Sequence, residues 1–209
     1  MIQLMKKQIY PETMEVLYDR PFTPQSIAED FEVKDGTWHV NEEGWLVGEN
    51  RKNSDAMIFS KADYLGDILV EFDAATVAPA TRDINVTWHG SWNEETGHRD
   101  MGYVGGIQGF WEGMVGFEQS PRYDVYAVTK LFPFEPGRIY HVTVGNIGRE
   151  CFVAIDGVVA LQVKVPNPID TSVYGKVGFE AFCTRVKYKN LQIKRLTWVD
   201  SGKPYVPEF

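Results

Sequence analysis

CFVAIDGVVALQV, residues 151–163, decides the fold. Two runs rich in Val, Ile, Leu and Phe flank Asp156-Gly157. An Asp-Gly pair between such runs is among the strongest short signals for a β-hairpin, because the tight turn needs positive φ at both central residues. On either side, nearly every segment alternates with period two and ends at Gly, Pro, Asn or Asp. Asn146-Ile147-Gly148 and Glu43-Gly44 mark further turns. Strands are predicted over residues 37–39, 45–48, 56–59, 67–74, 84–89, 105–110, 114–119, 140–147, 150–155, 158–163, 175–181 and 186–196. The helical candidate is residues 24–31, with Thr23 or Ser26 as its cap. The expected fold class is therefore all-β, a two-sheet antiparallel jelly-roll sandwich. No linker or repeat divides residues 1–209, which reads as one domain with an extended tail over residues 200–209.

Composition narrows the function. Lys and Arg number 21 against 29 Asp and Glu, a net charge of −8, which argues against a nucleic-acid partner. No stretch of 18 apolar residues offers a membrane span, and the first twenty residues lack the apolar core of a secretory signal. The cytoplasm is the expected compartment. Cys151 and Cys183 are read as two reduced, buried thiols, with a single disulfide as the alternative. Aromatic residues make up 13% of the chain. Trp88, Phe72, Phe152, Phe179 and Tyr188 fall at expected core positions, and the surplus concentrates between Trp92 and Tyr126.

Alternation assigns faces. Ile84, Val86 and Trp88 are predicted to point inward, leaving Asn85, Thr87 and His89 as a polar row on an outer face. In the strand over residues 67–74, Glu71 and Asp73 are the outward pair, and they would join that row if the two strands were neighbours. The segment GSWNEETGHRDMGYVGG, residues 90–106, is too long and polar for a tight turn, and ordered loops of that kind often carry function. Trp92, Trp111, Tyr103 and Tyr123 are candidate plates on which a sugar ring could stack, with Gln108 and Asn85 as polar contacts. Arg99 and Arg122 are candidates to grip a substrate carboxylate, the alternative being structural pairing with Asp100, Asp124 or Glu118. No tight metal motif is present. Neither a metal nor any other cofactor is expected, although a structural calcium held by backbone carbonyls would leave no trace in sequence.

Three stretches, residues 67–90, 103–119 and 152–196, resemble the concanavalin A-like lectin/glucanase superfamily, and within it the YesU-like bacterial proteins and related 3-keto-disaccharide hydrolase-type domains. The resemblance implies a jelly roll that holds a carbohydrate on a concave face. Laminarinase-type relatives place three acids on one strand. Here Glu71-Phe72-Asp73 supplies the first part, but Ala74, Ala75 and Thr76 stand where the last Glu should fall. The retaining mechanism, which needs two carboxyl groups about 5–5.5 Å apart, is unsupported on this strand. Hydrolysis would instead use Glu112 or Glu118 with His89, and a lyase would use His89 or Tyr103 to abstract a proton. The expectation is a carbohydrate-active protein that binds, and by one reading cleaves, an oligosaccharide or modified glycoside. The alternatives are a sugar-binding module without chemistry and a partner-binding sandwich, with oligomeric state left open.

Overall fold

The computed structural model of this chain describes residues 1–52, 54, 56–109, 113–130 and 132–202. In chain order its strands are β1 (Ile2–Gln3), β2 (Lys7–Ile9), β3 (Val16–Tyr18), β4 (Phe31–Val33), β5 (Thr37–Val40), β6 (Leu46–Glu49), β7 (Met57–Ser60), β8 (Ile68–Thr76), β9 (Ile84–Gly90), β10 (Trp92–Asn93), β11 (His98–Arg99), β12 (Gly102–Ile107), β13 (Val115–Ser120), β14 (Asp124–Thr129), β15 (Tyr140–Ile147), β16 (Glu150–Ile155), β17 (Val158–Lys164), β18 (Lys176–Glu180), β19 (Arg185–Arg195) and β20 (Val199–Asp200). A seven-stranded sheet runs β14-β13-β12-β9-β18-β7-β4. An eight-stranded sheet runs β17-β16-β15-β8-β19-β6-β5, with β3 paired to β19. All pairings are antiparallel. The architecture is an all-β sandwich.

The Asp156-Gly157 hairpin forms as predicted: Ile155 lies opposite Val158, with Asp156 at φ 50° and Gly157 at φ 79°. Asp156 also accepts a hydrogen bond from the His141 amide at 2.9 Å, tying the turn to β15. The α-helix among the described residues, α1 (Pro24–Asp30), begins with a reciprocal cap in which Thr23 Oγ1 accepts from the Ser26 amide and Ser26 Oγ accepts from the Thr23 amide.

Between the sheets lies the main core. Phe72, Trp88, Tyr103, Phe117, Tyr140, Phe179 and Tyr188 are fully buried there, and the Phe179 and Tyr188 rings stack with centroids 4.0 Å apart. A second cluster sits outside the eight-stranded sheet. Leu69 and Phe152 point outward and are covered by Ile2, Leu4, Ile9, Met14 and Leu196. That cover is carried by a small sheet, β1-β2-β20, which joins the chain's beginning to Val199–Asp200. Phe152 is therefore buried, but beneath the terminal sheet and not between the layers. Residues 203–209 of the expected tail lie outside the described residues. Cys151 is buried, whereas Cys183 is exposed and both thiols are free, so the expectation of two buried thiols holds only for Cys151.

Candidate functional site

Strand register builds the outer face of the seven-stranded sheet. Met57, Glu180, Asn85, Gly106 and Gly116 align across it, and beside them Phe59, Gly178, Thr87, Val104, Glu118 and Val125. Glycine keeps this floor low: a Cβ on Gly106 would lie 2.4 Å from Asn85 Oδ1. Across the floor runs Arg99 from the β10-β11 ribbon. Its Nε donates to Ser120 Oγ (2.6 Å), Nη1 to Glu180 (2.9 Å) and Nη2 to Glu118 (3.2 Å), while the Tyr123 ring lies 5.2 Å from its guanidinium carbon. Burial opposes the guanidinium charge, but Glu180 and Glu118 more than offset it and hold Arg99 protonated.

Next to this trio is an acid that makes no ion pair among the described residues. Asp83, only 3% exposed, accepts from Asn85 Nδ2 at 2.7 Å, and burial together with the Glu180 charge pushes its carboxyl well above the ordinary range. Asp83 Oδ2, Asn85 Oδ1 and Thr87 Oγ1 are buried without a hydrogen-bond partner. These three orphaned atoms, at residue 83 just before β9 and at 85 and 87 within it, leave this layer with unsatisfied polar groups.

Several predicted roles are corrected here. Asn85, Thr87 and His89 do not form a solvated row, because all three are buried. Glu71 and Asp73 do not join them, since β8 and β9 belong to different sheets. His89 departs most from alternation. Gly90 pairs with Lys176 and Thr87 with Gly178, so two residues of β9, Trp88 and His89, face the single residue Val177. This bulge, with His89 at φ 50°, turns the imidazole into the interior, where its ring meets Tyr103 edge-on. Nδ1 lies 2.9 Å from the Tyr174 carbonyl and Nε2 lies 2.8 Å from the Asn146 amide oxygen. Burial lowers its pKa. With both nitrogens engaged and no solvent access, His89 is no general base.

Tyr103 is likewise a core residue: its hydroxyl accepts from the Ile169 amide at 2.9 Å, and burial raises its pKa. It is neither a stacking plate nor a lyase base. Arg99 and Glu118 are consumed by each other. Arg122 is exposed in the turn before β14 and pairs with Asp124 at 2.8 Å. Gln108, at φ 57°, shapes the β12-β13 turn, where a Cβ on Gly113 would lie 2.8 Å from its Oε1. Trp111 and Glu112 lie outside the described residues.

Trp92 remains, and the structure places it in company that alternation did not forecast. It lines a groove of about 350 Å³ with Phe59, Tyr174, Lys34, Glu94 and Lys176, a volume in the range of small-molecule sites. Glu32 and Lys34 come from β4 and the residue after it, and Tyr174 is held in place by His89 through its carbonyl. Lys34 Nζ sits between Glu32 (2.9 Å) and Glu94 (2.6 Å), and Lys176 Nζ pairs with Asp63 at 3.2 Å. The signal for this wall was present in FEVKDG, residues 31–36, where apolar and polar residues alternate into an Asp-Gly turn. Among the described residues, no group of three or more His, Cys, Asp and Glu side chains is placed to hold a metal ion, and no helix is long and apolar enough to cross a membrane.

No family model matches the chain, and no curated protein does either. Solved structures do. The carbohydrate-binding module CBM66 from Bacillus subtilis superposes with a TM-score of 0.63 at 16% identity, covering 79% of this chain and 96% of its own. A Bacillus subtilis protein of unknown function with a galectin-like fold gives 0.66 at 12% identity, over 91% of this chain and 99% of that one. A Bacillus licheniformis β-glucanase gives 0.56 at 11% identity, over 87% and 98%. At these identities the likeness establishes the fold.

Proposed function

We propose that this chain is a carbohydrate-binding protein that holds an oligosaccharide in the groove beside Trp92. The observation that carries the reading is the groove's lining: an indole in its wall, with carboxylates, ammonium groups and two serines around the same space. A sugar presents apolar C–H faces to an aromatic plate and hydroxyls to donors and acceptors, and this groove offers both kinds of partner. Two structures of this fold, the carbohydrate-binding module CBM66 and the β-glucanase, agree with a carbohydrate ligand. Within that fold we place the chain with the YesU-like proteins and related 3-keto-disaccharide hydrolase-type domains, on the strength of residues 67–90, 103–119 and 152–196.

Binding without cleavage is the form the geometry favours. Asp83, its carboxyl pushed up by burial and the Glu180 charge, and Glu180, paired with Arg99, are neighbouring acids of the kind an acid/base couple uses. Both are shut away from solvent, however, so a glycosidic oxygen has no path to them. Titration calorimetry against a panel of oligosaccharides tests the proposal. Binding is expected, with Trp92→Ala weakening it by about 10- to 100-fold, the ordinary loss when an aromatic anchor is removed. Silence from every sugar at millimolar concentration, or unchanged affinity in Trp92→Ala, would overturn it.

A further inference from the structure

We infer that the groove selects neutral or amino-bearing sugars and rejects uronates. The inference rests on the carbohydrate reading above and deepens it with charge. The groove holds two ammonium groups, Lys34 and Lys176, against three carboxylates, Glu32, Glu94 and Asp63. Position matters more than number. Lys34 is drawn inward between its two partners with its side chain 12% exposed, whereas Glu32 and Glu94 stand out at 57% and 74%. Lys176 is turned to Asp63 and to the Lys61 carbonyl. An incoming ligand therefore meets carboxylate oxygens first, which accept from hydroxyl or ammonium groups and repel another carboxylate.

Elsewhere on the same sheet face the buried guanidinium is already held by acids. Glu118 and Glu180 share one cation, Arg99. Arg99 has no arm left for a ligand carboxylate, and Arg122 is on the β13-β14 turn with Asp124. Among the described residues, then, no unpaired cation lines the groove. The chain as a whole carries −8, so long-range attraction favours cationic ligands and disfavours anionic ones. A carboxylate brought to about 5 Å from Glu94 in a partly hydrated groove should bind roughly tenfold or more weakly than the matched neutral sugar.

The test is calorimetry on the full chain with matched oligosaccharides: neutral gluco- and galacto-oligomers, a glucosamine oligomer and an oligogalacturonate, each at low and high salt. The expected result is a neutral-to-uronate affinity ratio of at least about ten, with glucosamine binding weakened by salt. Glu94→Lys, at an exposed position that leaves the fold intact, should shrink or reverse that ratio. Wild-type protein that takes the oligogalacturonate as tightly as its neutral partner, or a ratio unmoved by Glu94→Lys, would overturn the inference while leaving a sugar ligand in place. If no member of the panel binds, the carbohydrate reading itself fails, and the selectivity falls with it.

Discussion

The seven-stranded sheet sends Arg99 across its outer face, buried between Glu118 and Glu180, and opens at one edge into the groove beside Trp92. The eight-stranded sheet treats its outer face differently. Half is dry, with Leu69 and Phe152 under the terminal sheet. The other half stays polar: Lys194 pairs with Glu71 at 2.6 Å, and His141 lies 2.9 Å from Asp73 with its side chain 47% exposed. Both faces carry carboxylates paired with a cation. What separates them is cover. Under the β10-β11 ribbon the charges become a buried network whose members depend on each other, while near His141 water shares the work of solvation.

The largest effect expected from this contrast is at Arg99. Arg99→Ala leaves Glu118 and Glu180 buried without their cation and should cost about 3–5 kcal/mol in urea unfolding. A loss under 1 kcal/mol would mean that this face is wetter than the geometry implies. On the other side, Ile9→Ala removes a fully buried side chain from the terminal sheet. About 2–4 kcal/mol is expected, and a negligible change would show that the cover is detachable.

Asp83→Asn sharpens the comparison in the opposite direction. The amide keeps an acceptor for Asn85 and carries no charge to be repelled by Glu180. An acid whose folded pKa is raised contributes stability below its unfolded pKa and loses it as pH rises. The substitution should therefore stabilise the protein by about 1 kcal/mol or more at pH 7, the gain vanishing below about pH 4. Thermal melts across pH check this, and destabilisation at pH 7 would contradict it.

His141 gives the smallest effect. Glu71 and Asp73 hold its imidazolium and raise its pKa from 6.5 to about 9. Its contribution is therefore whole below pH 6.5 and lost as pH climbs through 9. Because the ring is half exposed, about 0.5–1 kcal/mol is expected. His141→Ala should remove the change in stability over that window, and an unaltered profile would assign it to other groups.

How much of this was legible in the sequence differs by region. Where alternation was strict the strands emerged almost to the residue: β15 and β16 coincide with residues 140–147 and 150–155. Short pieces such as β1, β2 and β20 were missed, since two or three residues establish no period. The strand β12 was placed too far along, at 105–110, because Gly102, Gly105 and Gly106 leave its first half without a pattern. At the candidate site, depth was misjudged. Alternation tells which side chains leave the interlayer core, but not whether the outside they enter is water or another layer of protein. Arg99, Glu118 and Asn85 left the core and were buried again. His89 failed for a separate reason, because one extra residue opposite Val177 reverses the face of everything at the bulge. Trp92 does line a groove, though its neighbours Lys34 and Tyr174 come from segments far apart in the chain that no local pattern connects.

Amide hydrogen exchange with a saturating oligosaccharide found in the panel tests the central claim most directly, that the ligand sits on the groove side of the seven-stranded sheet. Protection is predicted in residues 31–34, 90–99 and 173–176, with residues 69–73, 141 and 194 on the opposite face unchanged. Protection centred on the His141 face, or none in residues 90–99, would contradict the account.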